Sequence, residues 1–184
     1  NRAEAPDDLA PQFEYIRKSV LAFNLPSVDL ANYEADDLIA TYVEQILKLG
    51  AKVTIVSSDK DLMQLVNKDT EMLDPMKNKI VGIDQVIEKF GLPPEKVIQI
   101  QALTGDTVDN IPGVPGIGPK TALQLIQEFG DVHNLIEKAN TITQEKRRNT
   151  ILENKEDILV SLELVKLKND IKLPISISKI HTYS

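Results

Sequence analysis

Three short runs of this chain concentrate acid. Tyr33-Glu34-Ala35-Asp36-Asp37, Ser58-Asp59-Lys60-Asp61 and Gly105-Asp106-Thr107-Val108-Asp109-Asn110 together carry seven carboxylates: Glu34, Asp36, Asp37, Asp59, Asp61, Asp106 and Asp109. Carboxylate oxygens are the hard ligands that Mg2+ and Mn2+ prefer. Seven of them drawn to one place repel and raise one another's pKa unless cations bind there. Two divalent ions about 3.5–4 Å apart are a known means of hydrolysing phosphodiesters, one activating the water and the other stabilising the leaving oxygen. Taken singly, each run has a plainer explanation. The first suits the positive end of a helix dipole, the second a helix N-cap and the third an Asx-turn. The combination is what points to metal.

A second feature follows within a few residues. Gly113-Val114-Pro115-Gly116-Ile117-Gly118-Pro119-Lys120-Thr121 leads into an amphipathic helix. Glycines let a backbone come close to a phosphate, and a new helix offers free N–H groups and its positive end. Lys120 and Thr121 add side-chain contacts. The spacing is neither that of a Walker loop nor that of a dinucleotide fingerprint. A clamp on a nucleic-acid backbone fits, positioning the strand without reading its bases. The plain alternative is a compact helix–turn–helix with no ligand.

Charge at first opposes a nucleic-acid partner, for the net is −7. The distribution alters this. Residues 1–118 carry 19 acids against 11 bases, and residues 119–184 carry 9 against 10. Two divalent ions in the acid runs would cancel about four negative charges and let a polyanion approach. The chain has no cysteine, so disulfides and thiolate zinc are excluded and a reducing compartment is compatible. No apolar run approaches the ~18–20 residues of a membrane span, and no signal peptide is visible. The first residue is Asn1, not Met, which suggests a fragment. His133 and His181 lack a partner pattern for base or zinc chemistry and read as surface or packing residues.

The elements that must position these residues are legible from periodicity. Pro6-Asp7-Asp8 reads as a helix start, continued by Leu9, Phe13, Ile16, Val20 and Phe23. A short extended piece is expected around Val28. Tyr33 to Leu49 is helical and closes at Gly50. Lys52 to Ser57 is β-branched and reads as a buried parallel strand, followed by a helical stretch through Leu65. Met72-Leu73 and Ile80-Val81 form two further strands around a turn-rich segment, as in a hairpin. Residues 83–90, 94–103 and 120–129 read as helices, residues 131–168 as two or three more, and the tail from Asp170 has no clear partner. Alternating helix and strand gives an α/β class.

These motifs, in this order, resemble the 5′ nuclease domain fused to bacterial DNA polymerase I, a relative of flap endonucleases and phage 5′ exonucleases. The resemblance runs from Asn1 to about Pro174. It implies a PIN-like α/β core with a parallel-type sheet over residues 1–104, beginning in a helical arch, and a helical region with a helix-three-turn-helix motif over 105–184. It implies structure-specific 5′→3′ exonuclease and flap endonuclease activity on 5′ flaps, nicks and RNA–DNA primers, in replication and repair. Glu34, Asp36 and Asp37 would serve a first Mg2+ or Mn2+; Asp59, Asp61, Asp106 and Asp109 would serve a second. The hairpin, through Gly113, Gly116, Ile117, Gly118, Lys120 and Thr121, would grip duplex backbone, with K+ as an added cofactor, and Arg2 resembles the arginine of the arch. A covalent polymerase domain, a monomeric state and a bacterial cytoplasmic, nucleoid-associated location complete the expectation. The family's first strand and its metal-binding Asp are not found here, so weak or no activity of these residues alone is expected. A non-catalytic helix-hairpin-helix DNA-binding module is the competing class, and a PIN-like nuclease acting on RNA a third.

Overall fold

Residues 6–180 are described in a computed structural model of the chain. Helix α1 (Gln12–Ala22) starts later than Pro6-Asp7-Asp8 suggests. Pro11 occupies its N-cap, and the preceding residues form turns such as Leu9 N–H to Pro6 C=O at 2.9 Å. Proline has no N–H to continue a helix through that point. The periodic apolar residues are present, but none is buried; Phe13 and Phe23 remain 52% and 72% exposed. No strand forms around Val28.

Helix α2 (Ala35–Lys48) packs through Leu38, Ala40 and Val43. Its chain reverses at Gly50, whose left-handed φ of 77° ends the helix. Strand β1 (Val53–Val56) pairs in parallel with β2 (Thr70–Asp74), and β2 pairs antiparallel with β3 (Lys79–Val81). The sheet is therefore mixed, not parallel throughout. Only a short turn separates Asp74 from Lys79, and a turn of that length joins antiparallel neighbours; parallel ones need a crossover. β1 was expected to be fully buried. Among the described residues it stands instead at the edge of the order β1-β2-β3, with Ile55 buried and Val56 63% exposed. The stretch after β1 is a 3-10 helix, Asp61–Leu65, whose Leu62 and Met63 plug the space beneath the sheet.

Helix α3 (Ile83–Phe90) and a 3-10 turn at Pro94–Lys96 lead into α4 (Val97–Thr104). This helix is apolar on most sides. Val97 belongs to the cluster under the sheet, with Val43, Ile55, Met72 and Val86. Ile100, Ala102 and Leu103 belong to a second cluster with Leu125, Ile126, Leu135, Ile151 and Ile158. The second cluster is supplied by α5 (Pro119–Phe129), α6 (Val132–Glu137), α7 (Glu145–Glu153) and α8 (Lys155–Val165). Each fully buried Leu or Ile contributes about 1.5–3 kcal/mol, so α4 is held from both sides. The tail beyond α8 contains only a 3-10 turn at Ile177–Lys179 among the described residues. No described helix is long and apolar enough to cross a membrane.

Candidate functional site

The three acid runs lie at three element ends. Glu34 is the N-cap residue of α2, and Asp36 and Asp37 occupy its first turn, where the helix dipole favours negative charge. Asp59 and Asp61 follow the carboxyl end of β1. There Asp59 N–H donates to Ser57 Oγ at 3.0 Å and Asp61 N–H donates to Asp59 Oδ1 at 2.9 Å, which folds the run into a tight turn. Asp106 follows the carboxyl end of α4 across Gly105. Its Oδ1 accepts Val108 N–H at 2.8 Å, and its backbone exchanges two hydrogen bonds with Ile111, at 3.0 and 2.7 Å.

Glu34, Asp36, Asp59, Asp61 and Asp109 line one cavity of about 120 Å3, roofed by Leu164, Val165 and Leu167. The other two acids of the seven point elsewhere. Asp37 faces an adjoining groove with Lys166 and Lys168 and accepts Lys168 N–H. Asp106 faces a second cavity of about 250 Å3, and Lys60 Nζ lies 2.5 Å from its Oδ2. Among the described residues, no three acids or histidines are arranged to hold one ion as they stand. The four carboxylates expected to complete a second metal site are therefore brought near one another but drawn to different partners.

Electrostatics follow from that arrangement. Burial first, then the charges of Asp59, Asp61, Glu34 and Asp37, push the Asp36 carboxyl up to about 6. Asp61 is also raised, by burial and then by Asp59, against the opposing effects of Lys60 and of a hydrogen bond from Gln101 Nε2. Asp106 goes the other way, held down chiefly by its hydrogen bond from Lys60. Carboxylates crowded until one keeps its proton near pH 6 lack positive charge around them. A hard divalent cation fits the cavity in kind, because every polar side chain lining it is a carboxylate.

Several supporting residues were not visible in the motifs. Gln101 on α4 is buried and donates to Asp61, while its Oε1 is buried with no hydrogen-bond partner. Gln64 donates to Asp61 C=O at 2.9 Å and to Val165 C=O at 3.0 Å, fixing the 3-10 turn against the end of α8. Lys60 stands inside the second acid run, and its type and place alone could have marked it as a partner for the third.

The glycine hairpin joins the end of α4 to α5. Gly113 sits at φ 60°, and a Cβ there would come within 2.6 Å of Gly105 Cα. Its N–H donates to the buried Ser161 Oγ at 2.9 Å. Ile117 is 7% exposed and anchors the hairpin in the helical cluster, which leaves only its backbone for an outside contact. Gly116, Gly118 and Lys120 are exposed, and Thr121 is half-buried. α5 begins at Pro119 with no side-chain cap, so its first-turn N–H groups are offered outward. His133 is exposed; Arg2 and His181 lie outside the described residues.

Comparison with known proteins agrees with this architecture. Residues 1–91 match the 5′-3′ exonuclease N-terminal resolvase-like domain, and residues 92–184 match the 5′-3′ exonuclease C-terminal SAM fold. A DNA polymerase I of Rhizobium leguminosarum is 55% identical over 177 residues, covering 96% of this chain and 17% of that protein. A 5′-3′ exonuclease of Aquifex aeolicus (strain VF5) is 39% identical over 175 residues, covering 95% of this chain and 59% of that protein. A bacteriophage T5 flap endonuclease, solved as a pseudo-enzyme-product complex with DNA and metal ions, superposes with a TM-score of 0.80 at 27% identity, covering 91% of this chain and 63% of that one. The chain thus spans between 17% and 63% of the length of these relatives. With the acid runs at the ends of α2, β1 and α4, and the hairpin opening a bundle of short helices, the chain belongs to the 5′-3′ exonuclease family.

Proposed function

We propose that the chain carries the catalytic centre of a structure-specific 5′→3′ exonuclease and flap endonuclease acting on DNA. The observation that carries this is the convergence of Glu34, Asp36, Asp59, Asp61 and Asp109 on one cavity, with Asp36 raised to about 6. A binding module for a polyanion gains nothing from such a cavity. The phage T5 neighbour, which holds DNA and metal ions, supports the same assignment.

Glu34, Asp36 and Asp37 would hold one Mg2+ or Mn2+, and Asp59, Asp61, Asp106 and Asp109 a second. When bound, such ions supply an activated water and charge stabilisation for the leaving oxygen. The chain's own residues do the rest. Gln101 and Gln64 orient Asp61; Lys168 N–H orients Asp37. Gly116, Gly118, Lys120, Thr121 and the start of α5 grip the phosphate backbone of the duplex, with K+ as an auxiliary cation at the hairpin. Residues 1–104 form the nuclease core with five of the seven acids, and 105–184 supply Asp106 and Asp109 to the cutting centre and carry the grip. The substrates are 5′ flaps, nicks and RNA–DNA primer ends. The length by which the Rhizobium relative exceeds the matched region supports work alongside a polymerase.

Titration of Mn2+ into the chain tests this. Uptake of Mn2+, its loss in Asp61→Asn and Asp109→Asn, and binding of a 5′-flap duplex are expected, with weak or no release of the flap by these 184 residues alone. A folded chain that takes up no Mn2+ yet holds a flap duplex would instead be a non-catalytic DNA-binding module.

A further inference from the structure

Beside the acid cavity lies the second cavity of about 250 Å3, lined by Lys60, Asp61, Lys89, Gln101, Thr104 and Asp106, with Phe90 and Ile111 closing its apolar sides. It is chemically unlike its neighbour. Two ammonium groups and two carboxylates share it. Lys60 is committed to Asp106, with Nζ to Oδ2 at 2.5 Å. Among the described residues Lys89 makes no ion pair with a carboxylate; its Nζ rests 5.5 Å from the Phe90 ring centroid. Burial and the nearby Lys60 and Lys77 hold the Lys89 ammonium below the usual lysine range. A second lysine thus stands with unmet demand for an anion, one step from the acid cavity.

We propose that Lys60 is an exchange latch between the acid centre and a phosphate seat. With no divalent ion engaged, Lys60 neutralises Asp106 and holds it away from Asp59, Asp61 and Asp109. When a cation takes Asp106, Lys60 is released into the cavity and, with Lys89, forms a seat for one phosphodiester group of the nucleic-acid strand. The metal and the strand are thereby coupled: each removes a competitor of the other. The ammonium switches between two anions, and charge is conserved at each stage. The pair is partly exposed, its side chains 46% and 17% accessible, so its Coulombic bias is modest and a divalent ion can displace it, and coupling of this kind is reciprocal. The proposal rests on the metal-binding reading above and adds a role for two lysines that the acid runs do not require.

Binding measurements on the 184-residue chain distinguish the two. The probes are Mn2+ alone, by calorimetry, and a fluorescein-labelled 5′-flap oligonucleotide in Ca2+, by anisotropy. Lys60→Gln is expected to tighten Mn2+ binding several-fold in the absence of DNA, because the competitor is gone. In an Asp106→Asn background the same substitution is expected to change Mn2+ binding little, since a true pairwise effect vanishes when the partner is removed. Lys60→Gln and Lys89→Gln are each expected to weaken oligonucleotide binding and to reduce the slope of log K against log salt by about 0.7–0.9, the loss of one phosphate contact. Lys89→Gln serves as the control for general charge. If it tightens Mn2+ binding as much as Lys60→Gln does, the effect is a field and the latch is overturned. An unchanged Mn2+ affinity in Lys60→Gln, with Asp61→Asn still abolishing uptake, overturns the latch and leaves the metal reading standing. If the wild-type chain takes up no Mn2+, both fall.

Discussion

The backbone N–H of Lys168 donates to Asp37 Oδ1 at 2.9 Å across 131 positions of sequence. The segment that follows α8 is sewn to the acid centre at more than this point. Leu167 N–H donates to Gln64 Oε1 at 3.2 Å, Thr41 Oγ1 approaches Lys168 C=O at 3.3 Å, and Ile171 N–H donates to Thr41 Oγ1 at 3.4 Å. The Lys168 ammonium lies over Tyr33 at 5.4 Å. The segment after α8 therefore shapes the first acid run, although the two are far apart in sequence.

Replacing Thr41, which is fully buried, by Val keeps the volume and removes the hydroxyl. Ile171 N–H then loses its acceptor inside the protein. Thr41→Val is expected to lower the unfolding free energy by about 1–2 kcal/mol and to speed amide exchange at Lys168 and Ile171, as measured by chemical denaturation and hydrogen exchange.

The raised pKa of Asp36 has a definite sign in stability. The folded state binds its proton up to about pH 6, the unfolded chain only to the ordinary value of 3.8. Between those values the native state holds more protons, so stability falls as pH rises through this window. Metal-free wild type is expected to be more stable at pH 4.5 than at pH 7 so far as this group is concerned. Asp36→Asn is expected to remove that slope and to be about 1–2 kcal/mol more stable at pH 7, the figure being reduced because the group is half-exposed. Thermal melts across pH check both. Added Mn2+ is expected to stabilise wild type more than the variant.

Gly113 and Gly116 both have positive φ, at 60° and 77°, yet they differ in surroundings. A Cβ on Gly113 runs into the Gly105 backbone, whereas one on Gly116 meets nothing within 4 Å. Gly116→Ala is expected to cost about 1 kcal/mol, for φ alone. Gly113→Ala is expected to cost well over about 2 kcal/mol, because backbone must move and the bond to Ser161 is disturbed. Denaturant midpoints decide between these.

Lys120 is exposed on the first turn of α5. Lys120→Ala is expected to weaken duplex binding evenly across sequences and to lower the salt slope by about 0.9. Sequence-selective loss would contradict a backbone contact.

Much of the candidate site was legible because its acid runs are local in sequence. The runs at 34–37, 58–61 and 105–110 announce themselves by composition, and α3, α5 and the β2–β3 hairpin by period and by glycine or proline. What could not be read depends on contacts between distant residues. Lys60 pairs with Asp106 rather than leaving it for a shared ion, Gln101 turns inward to Asp61, and Lys168 reaches Asp37 through its backbone, which has no sequence signature. The first helix misled differently. Its apolar period is real, but period records only that a face exists, and Phe13, Ile16 and Phe23 stay exposed. β1 carries the β-branched composition of a buried strand, and the described residues supply a partner on one of its two edges.

The Gly105–Gly113 approach has a geometric consequence. It closes residues 106–112 into a short loop whose two feet stand on one spot at the end of α4, braced by Ser161. Asp106 and Asp109 belong to that loop, and the exposed turn at Gly116 and Gly118 begins at its foot. On the proposed function, the place where the strand is cut and the place where the duplex is held are the two ends of a single rigid gauge. The span between them is set by chain length and by glycine's missing side chain, so residues inserted between Gly113 and Gly116 are expected to shift the position of cleavage along the strand, while residues added elsewhere in the bundle leave it unchanged.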